Sequence, residues 1–365
     1  MKIARIEAIP VALPYGHGAP KPRLGMGPVR ETMDALLVRV ETDGGVTGWG
    51  EAFGFATTPV TLAAIREALA PLAIGRDPAD IAALTTDLRR RLQNMMQAGP
   101  ARFALSGLDI ALWDIAGKVA GRPVWALLGG APRERVPAYA SLLRVDTPEL
   151  AASLAGAAAA RGYRHVKLHQ RTADTVAAAR AALGPDIDLM VDANCAWGLE
   201  EAIAMARDLR PFDLTWLEEP VFPPDDYDAL AALRREGAVA VAAGENLGNP
   251  NDARWMLRAG AVDVVQPSVA RLGGIAAVWE TVGLARAAGT RCVPHAPFVG
   301  PALIATIHIV AAMGEEGLLE HRFCDLGASL HGDAVLAREG FLAVPDGPGL
   351  GVEVDEGVIA RFRMD

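Results

Sequence analysis

Two periods run through the apolar and polar positions of this chain, and the point where one replaces the other divides it. Residues 2–13 alternate loosely, and residues 34–42 and 46–52 repeat a two-residue period, which is that of a strand with one buried face. Asp43-Gly44-Gly45 between the last two reads as a hairpin turn. The segment 16–28, rich in Gly and Pro, reads as an exposed loop. Residues 59–72, 78–97 and 101–119 then carry apolar side chains at helical spacing. A strand meander followed by helices predicts an α+β domain over residues 1–130.

From about residue 131 the pattern changes. Short apolar runs at 136–141, 165–169, 187–194, 214–220, 239–246, 262–268, 290–295 and 318–322 alternate with helical segments at 172–183, 198–209, 226–236, 250–259, 274–288 and 300–313. Strands apolar on both faces belong to a parallel sheet covered by helices. Eight βα units are the number that closes a barrel. Residues 131–325 are therefore expected to form a (β/α) barrel. Residues 326–365 would be a tail of short strands able to return to the first domain.

Polar residues end these runs: Lys167 and His169, Asp192, Glu218, Glu245, Ser268, His295 and Glu320, with successive spacings of 23–27 residues from Lys167. That spacing is one βα unit, so the residues share one height on the rim where barrel enzymes place their chemistry. VDAN (191–194), LEEP (217–220) and GEN (244–246) each supply a carboxylate. A single acid there would best be read as a solvated strand end or a helix cap. Three in successive units repel one another. A hard divalent cation relieves that repulsion, and oxygen-only ligands select Mg²⁺ over Zn²⁺. Asp192, Glu218 and Glu245 are thus the candidate metal ligands, while alternation turns Glu219 away from Glu218 into a structural role. Lys167 and His169 share a strand face, and His295 comes from the opposite side of the mouth. Bases on both sides of a metal-bound carboxylate suit removal of its α-proton.

Composition narrows the partners. A net charge of −9 disfavours nucleic acid. Cys195, Cys292 and Cys324 form no CxxC pair, which predicts reduced thiols and a cytoplasmic protein. No signal peptide and no membrane span are expected. His17 is expected to be solvated, Met95, Met96 and Trp113 to be core, and His165, His308, His321 and His331 to lie outside the chemistry. Arg23 and Arg30 could receive a distal carboxylate, although exposed arginines need no such reason.

With these residues in view, the chain resembles the enolase superfamily and, within it, the mandelate racemase / muconate lactonizing enzyme family. The resemblance rests on TDGGVTGWGEA (42–52), FALSGLDIALWDIAGKVAGRPVWALLGG (103–130), VDAN, WLEEP, GEN, QPSVARLGGI and PDGPGLGVE. It implies a modified (β/α)7β barrel under an α+β capping domain, Mg²⁺ on Asp192, Glu218 and Glu245, a small carboxylate substrate and a homo-oligomer. The mandelate racemase pattern has Lys-x-Lys on the second strand, an Asp–His dyad on strands six and seven, and Glu on strand eight. Here Lys167 is followed by His169, His295 faces Ser268 in place of Asp, and Glu320 is kept. A racemase needs a competent base on each face, whereas a dehydratase needs one base and one acid. The departures therefore point to dehydration of a sugar acid, with His169 or Lys167 as base and His295 as acid. The alternatives are a racemase or epimerase and a lactone cycloisomerase. The resemblance also implies that Glu320 hydrogen-bonds the substrate carboxylate, for which it would have to be protonated.

Overall fold

In the computed structural model, which describes residues 1–22 and 29–364, the chain is mixed α/β. Strands β1 (Ile3–Gly16), β2 (Thr32–Thr42) and β3 (Thr47–Ala52) form an antiparallel sheet joined by the expected hairpin. The inward positions Ile3, Ala8, Leu36, Val38 and Val40 bury against the helices that follow. The longest of these helices, Pro100–Ala120, lies directly on β3. A Cβ on Gly50 would stand 2.0 Å from the Gly107 carbonyl oxygen, so only glycine permits this approach.

The barrel strands are β4 (Arg135–Ser141), β5 (His165–Leu168), β6 (Asp188–Asp192), β7 (Leu214–Glu218), β8 (Val241–Ala243), β9 (Val264–Val265), β10 (Arg291–Cys292) and β11 (Leu319–Arg322). They pair in parallel in the order β10-β9-β8-β7-β6-β5-β4-β11, a curled sheet with helices outside it. Every apolar run named above coincides with one of these strands, β4 beginning one residue before its run. Several strands are shorter than their runs, so Glu245, Ser268 and His295 stand just past the ladders. A helix at Pro148–Ala160, which periodicity did not single out, completes the first βα unit. Tyr139, Met190, Trp216, Ala242, Val264, Val293 and Leu318 fill the interior below the mouth. This layer is the floor on which the polar groups stand.

The tail packs back onto the first sheet. β12 (Asp325–Leu326) pairs with Tyr15–Gly16, and Val354 and Ile359 bury beside Val11, Leu13 and Leu37. One buried carboxylate ties three segments together: Asp114 accepts from the N–H groups of Trp49 (2.9 Å) and Leu350 (2.9 Å) and from Lys118 Nζ (2.8 Å).

Two barrel helices are capped from the other domain. The helices Ile275–Ala288 and Pro301–Met313 begin after Gly274 and Gly300, which have no side chain to satisfy the first N–H groups. Asp109 Oδ1 accepts from Ala276 N–H (3.2 Å), and Glu51 Oε2 accepts from Ala302 N–H (2.9 Å). Both acids are fully buried, and burial pushes each up to about 7 against those hydrogen bonds. Gly274 has φ +93°, and a Cβ there would stand 2.2 Å from Asp109 Oδ1.

Other expectations need correction. The helix foreseen over 78–97 ends at Arg91, so Met96 still turns inward but Met95 is 46% exposed. His17 is buried, stacked on Tyr15, with its Nε2 3.1 Å from the Pro20 carbonyl oxygen. The chain doubles back there against the barrel rather than standing in solvent. Arg23 falls outside the described residues. No helix among the described residues is long and apolar enough to cross a membrane.

Candidate active site

The register of the barrel brings the predicted polar residues to one mouth. Asp192 and Glu218 are direct partners across β6 and β7, and Glu218 pairs with Ala242 of β8, from which the chain runs on to Glu245. One oxygen from each of Asp192, Glu218 and Glu245 lies within 4.8 Å of the others. Asp192 Oδ1 accepts from the N–H (2.8 Å) and side-chain amide (3.0 Å) of Asn194. Its buried Oδ2 receives no well-directed hydrogen bond, standing 3.2 Å from His169 Nε2 and 3.6 Å from Lys167 Nζ. Glu218 Oε2 accepts from Trp216 Nε1 (3.0 Å) and Gln266 Nε2 (2.8 Å). Glu245 lies 2.8 Å from His295 Nε2 and 3.3 Å from Arg271 Nη1.

The charges are unequally settled. Burial opposes ionisation of Glu245, but His295 and Arg271 outweigh it and hold the carboxyl well below its usual range. Asp192 is also held low, His169 and Lys167 overcoming its burial. Glu218 is pushed well up by burial and by the facing Asp192 and Glu320, although Lys167 donates to it. Three converging carboxylates, two of them buried and Glu245 partly so, that cannot all be comfortably charged, with an all-oxygen donor set and an undirected Asp192 oxygen, fit a divalent cation.

Lys167 is fully buried, its Nζ 2.5 Å from Glu218, 3.0 Å from Glu320 and 5.5 Å from the centre of the Tyr139 ring. Burial alone would strip its proton, but Glu218 and Glu320 more than reverse this and hold the ammonium form. His169 is the member of the pair that reaches the cavity. Its Nδ1 stands 2.5 Å from the Leu142 carbonyl oxygen. A carbonyl only accepts, so Nδ1 carries a proton and Nε2 is the nitrogen left to exchange one. On the far wall His295 Nε2 donates toward Glu245, while His295 Nδ1 and the Ser268 hydroxyl are both buried without partners. The serine therefore does not stand in for a dyad carboxylate.

Glu320 differs from expectation. Oε1 accepts from Ser141 Oγ (2.7 Å) and Lys167, and Oε2 from Ala296 N–H (2.8 Å). Burial favours the neutral acid, but Lys167 and His295 prevail and hold the carboxyl far below its usual range. It is surrounded as a carboxylate, not as a proton donor.

Residue spacing alone had missed Ser141, Gln266 and Trp216. Ser141 lies one unit before Lys167 at the same rim height, and Gln266 and Trp216 stand two residues before rim positions on the same strand face. Glu219, turned aside as expected by a left-handed φ of +42°, accepts from Gly244 N–H (2.9 Å) and so fixes the backbone that carries Glu245. Above the triad lies a cavity of about 470 Å³ lined by His169, Glu245, His295 and Glu320 from the barrel, and by Phe53 and Phe55 from the first domain.

Comparison with known proteins agrees with this geometry. Residues 21–129 match the model of the mandelate racemase / muconate lactonizing enzyme N-terminal domain, and residues 149–358 match that of the enolase C-terminal domain-like family. The chain is 36% identical to D-galactarolactone cycloisomerase of Agrobacterium fabrum, over 90% of this chain and 91% of that protein. It is 33% identical to D-galactonate dehydratase of Ralstonia nicotianae, over 90% and 91% of the two. A mandelate racemase/muconate lactonizing protein from Paracoccus denitrificans PD1222, solved in complex with magnesium, superposes with a TM-score of 0.88 at 29% identity, covering 100% of this chain and 98% of that one.

Proposed function

Because the chain belongs to the mandelate racemase / muconate lactonizing enzyme family of the enolase superfamily, we propose that it is a sugar-acid dehydratase that removes the α-proton of a polyhydroxy carboxylate and expels its β-oxygen. The observation that carries this reading is the unequal pair of histidines flanking the acidic triad. His169 presents an exchangeable Nε2, and His295 holds an Nε2 proton with no carboxylate behind it.

Asp192, Glu218 and Glu245 would hold Mg²⁺, whose charge stabilises the developing ene-diolate of the substrate carboxylate. His169 takes the α-proton as the C–H bond breaks. The electron pair forms the C=C bond and drives out the β-oxygen, which leaves as water with a proton from His295. The enol then tautomerises to a 2-keto-3-deoxy acid. Lys167 keeps its proton and compensates charge between Glu218 and Glu320. Positioned acid–base groups of this kind are worth about 10²–10⁴-fold each.

A lactone cycloisomerase is the second reading, favoured by the 36% identity to the A. fabrum enzyme. It uses the same proton abstraction but expels a ring oxygen. ¹H NMR in D₂O with Mg²⁺ and a library of aldonic acids, aldaric acids and lactones tests both. Dehydration gives a keto-deoxy product with loss of water, and cycloisomerisation opens a lactone at constant mass. EDTA or Asp192→Asn should abolish either reaction. No product and no α-deuterium exchange from any member would overturn the proposal.

A further inference from the structure

Resting on that reading of the mouth, we propose that the substrate carries a second carboxylate, received away from the triad by Arg30 and Arg322: a sugar diacid or its monolactone rather than an aldonic acid. Arg322 follows Glu320 by two residues on β11, so it leaves the strand on the same side, one step farther out. Its guanidinium donates to the Pro297 carbonyl through Nε (3.4 Å) and Nη2 (3.3 Å). Arg30 enters the same cavity from the first domain. Its Nε donates to the Thr32 carbonyl (3.3 Å), and its guanidinium lies 4.6 Å from the centre of the Phe55 ring. Phe55 itself is held at φ +43°, a conformation a bulky residue adopts only when its surroundings impose it.

Neither arginine has a carboxylate within 4.0 Å among the described residues. Asp34, on the same wall, stands outside that distance and accepts from Thr32 Oγ1 at 2.6 Å. Arg271, deeper in the cavity, is already paired with Glu245 and Asn246, and Arg144 with Asn194. Two guanidiniums from different domains thus face one space with no carboxylate in contact, Asp34 and Glu320 acting on them only from beyond 4.0 Å. Burial, and then the proximity of Arg322, push Arg30 down to about 10. Forked donors of this kind match a planar carboxylate, which would relieve their mutual repulsion.

The test compares galactarate with galactonate, which lacks the second carboxylate, by calorimetric binding in Mg²⁺ buffer and by turnover. Wild-type protein should bind galactarate at least tenfold more tightly. Arg30→Gln and Arg322→Gln should each weaken galactarate at least tenfold more than galactonate, with the effect in KM rather than kcat. Arg30→Lys should recover part of the loss, and thermal melting of each variant reports on folding. Equal binding of the two acids by wild-type protein, or an equal loss for both in the variants, overturns the subsite. Selective galactarate binding without α-proton exchange keeps the subsite and removes the catalytic reading instead.

Discussion

Glu219 does not line the cavity, yet the position of Glu245, a candidate metal ligand, depends on it. Its Oε1 accepts from the Gly244 N–H immediately before Glu245. Glu219→Ala would leave that buried donor unpaired, at a cost of about 1–3 kcal/mol. Outer partners of metal ligands are typically worth about 10–100-fold in affinity. Magnesium titration of Glu219→Ala by calorimetry should show a loss of that order, and unchanged affinity would assign Glu219 to folding alone. At this scale the sequence was informative about identity and much less so about state. Asp192, Glu218 and Glu245 could be picked out because βα spacing repeats along the chain. The charge form of Glu320 could not, because it is set by Ser141, Lys167 and Ala296 N–H, which lie between 24 and 179 residues from it and meet only in the folded barrel.

Among the elements, β3 and the helix Pro100–Ala120 make the closest approach, and it places Glu51 within reach of the barrel. Gly50→Ala would drive a methyl group into the Gly107 carbonyl. Overpacking of this kind costs about 1–3 kcal/mol. A lowered denaturant midpoint should reveal it, along with weaker activity as Glu51 shifts. The hairpin and the long helix were readable because their periods are strong and local. The short ladders of β8, β9 and β10 were overestimated, because periodicity reports burial and the residues past each strand are just as buried in the mouth. The helix at Pro148–Ala160 escaped notice because its Ala-rich faces contrast weakly. The helix caps lent by Asp109 and Glu51 could not be read at all, since donor and acceptor are 167 and 251 residues apart.

For the whole molecule, those two acids predict how stability varies with pH. Each is raised to about 7 in the folded protein from ordinary values of 3.8 and 4.5. The folded state therefore binds more protons than the unfolded state between about pH 4 and 7. The stabilisation is complete below that window and is lost as pH rises through it. Asp109→Asn, which keeps an acceptor but cannot ionise, should flatten the decline in stability measured by chemical denaturation at pH 5, 6 and 7. An identical slope in the variant would place the proton uptake elsewhere.

Helix ends completed by the neighbouring domain also restrict how the enzyme can open. If the first domain swung away as a rigid lid, it would strip the acceptors from Ala276 and Ala302 and leave bare N–H groups at the seam. Keeping those caps intact favours entry past the segment bearing Phe55, which lines the cavity, over separation of the two bodies.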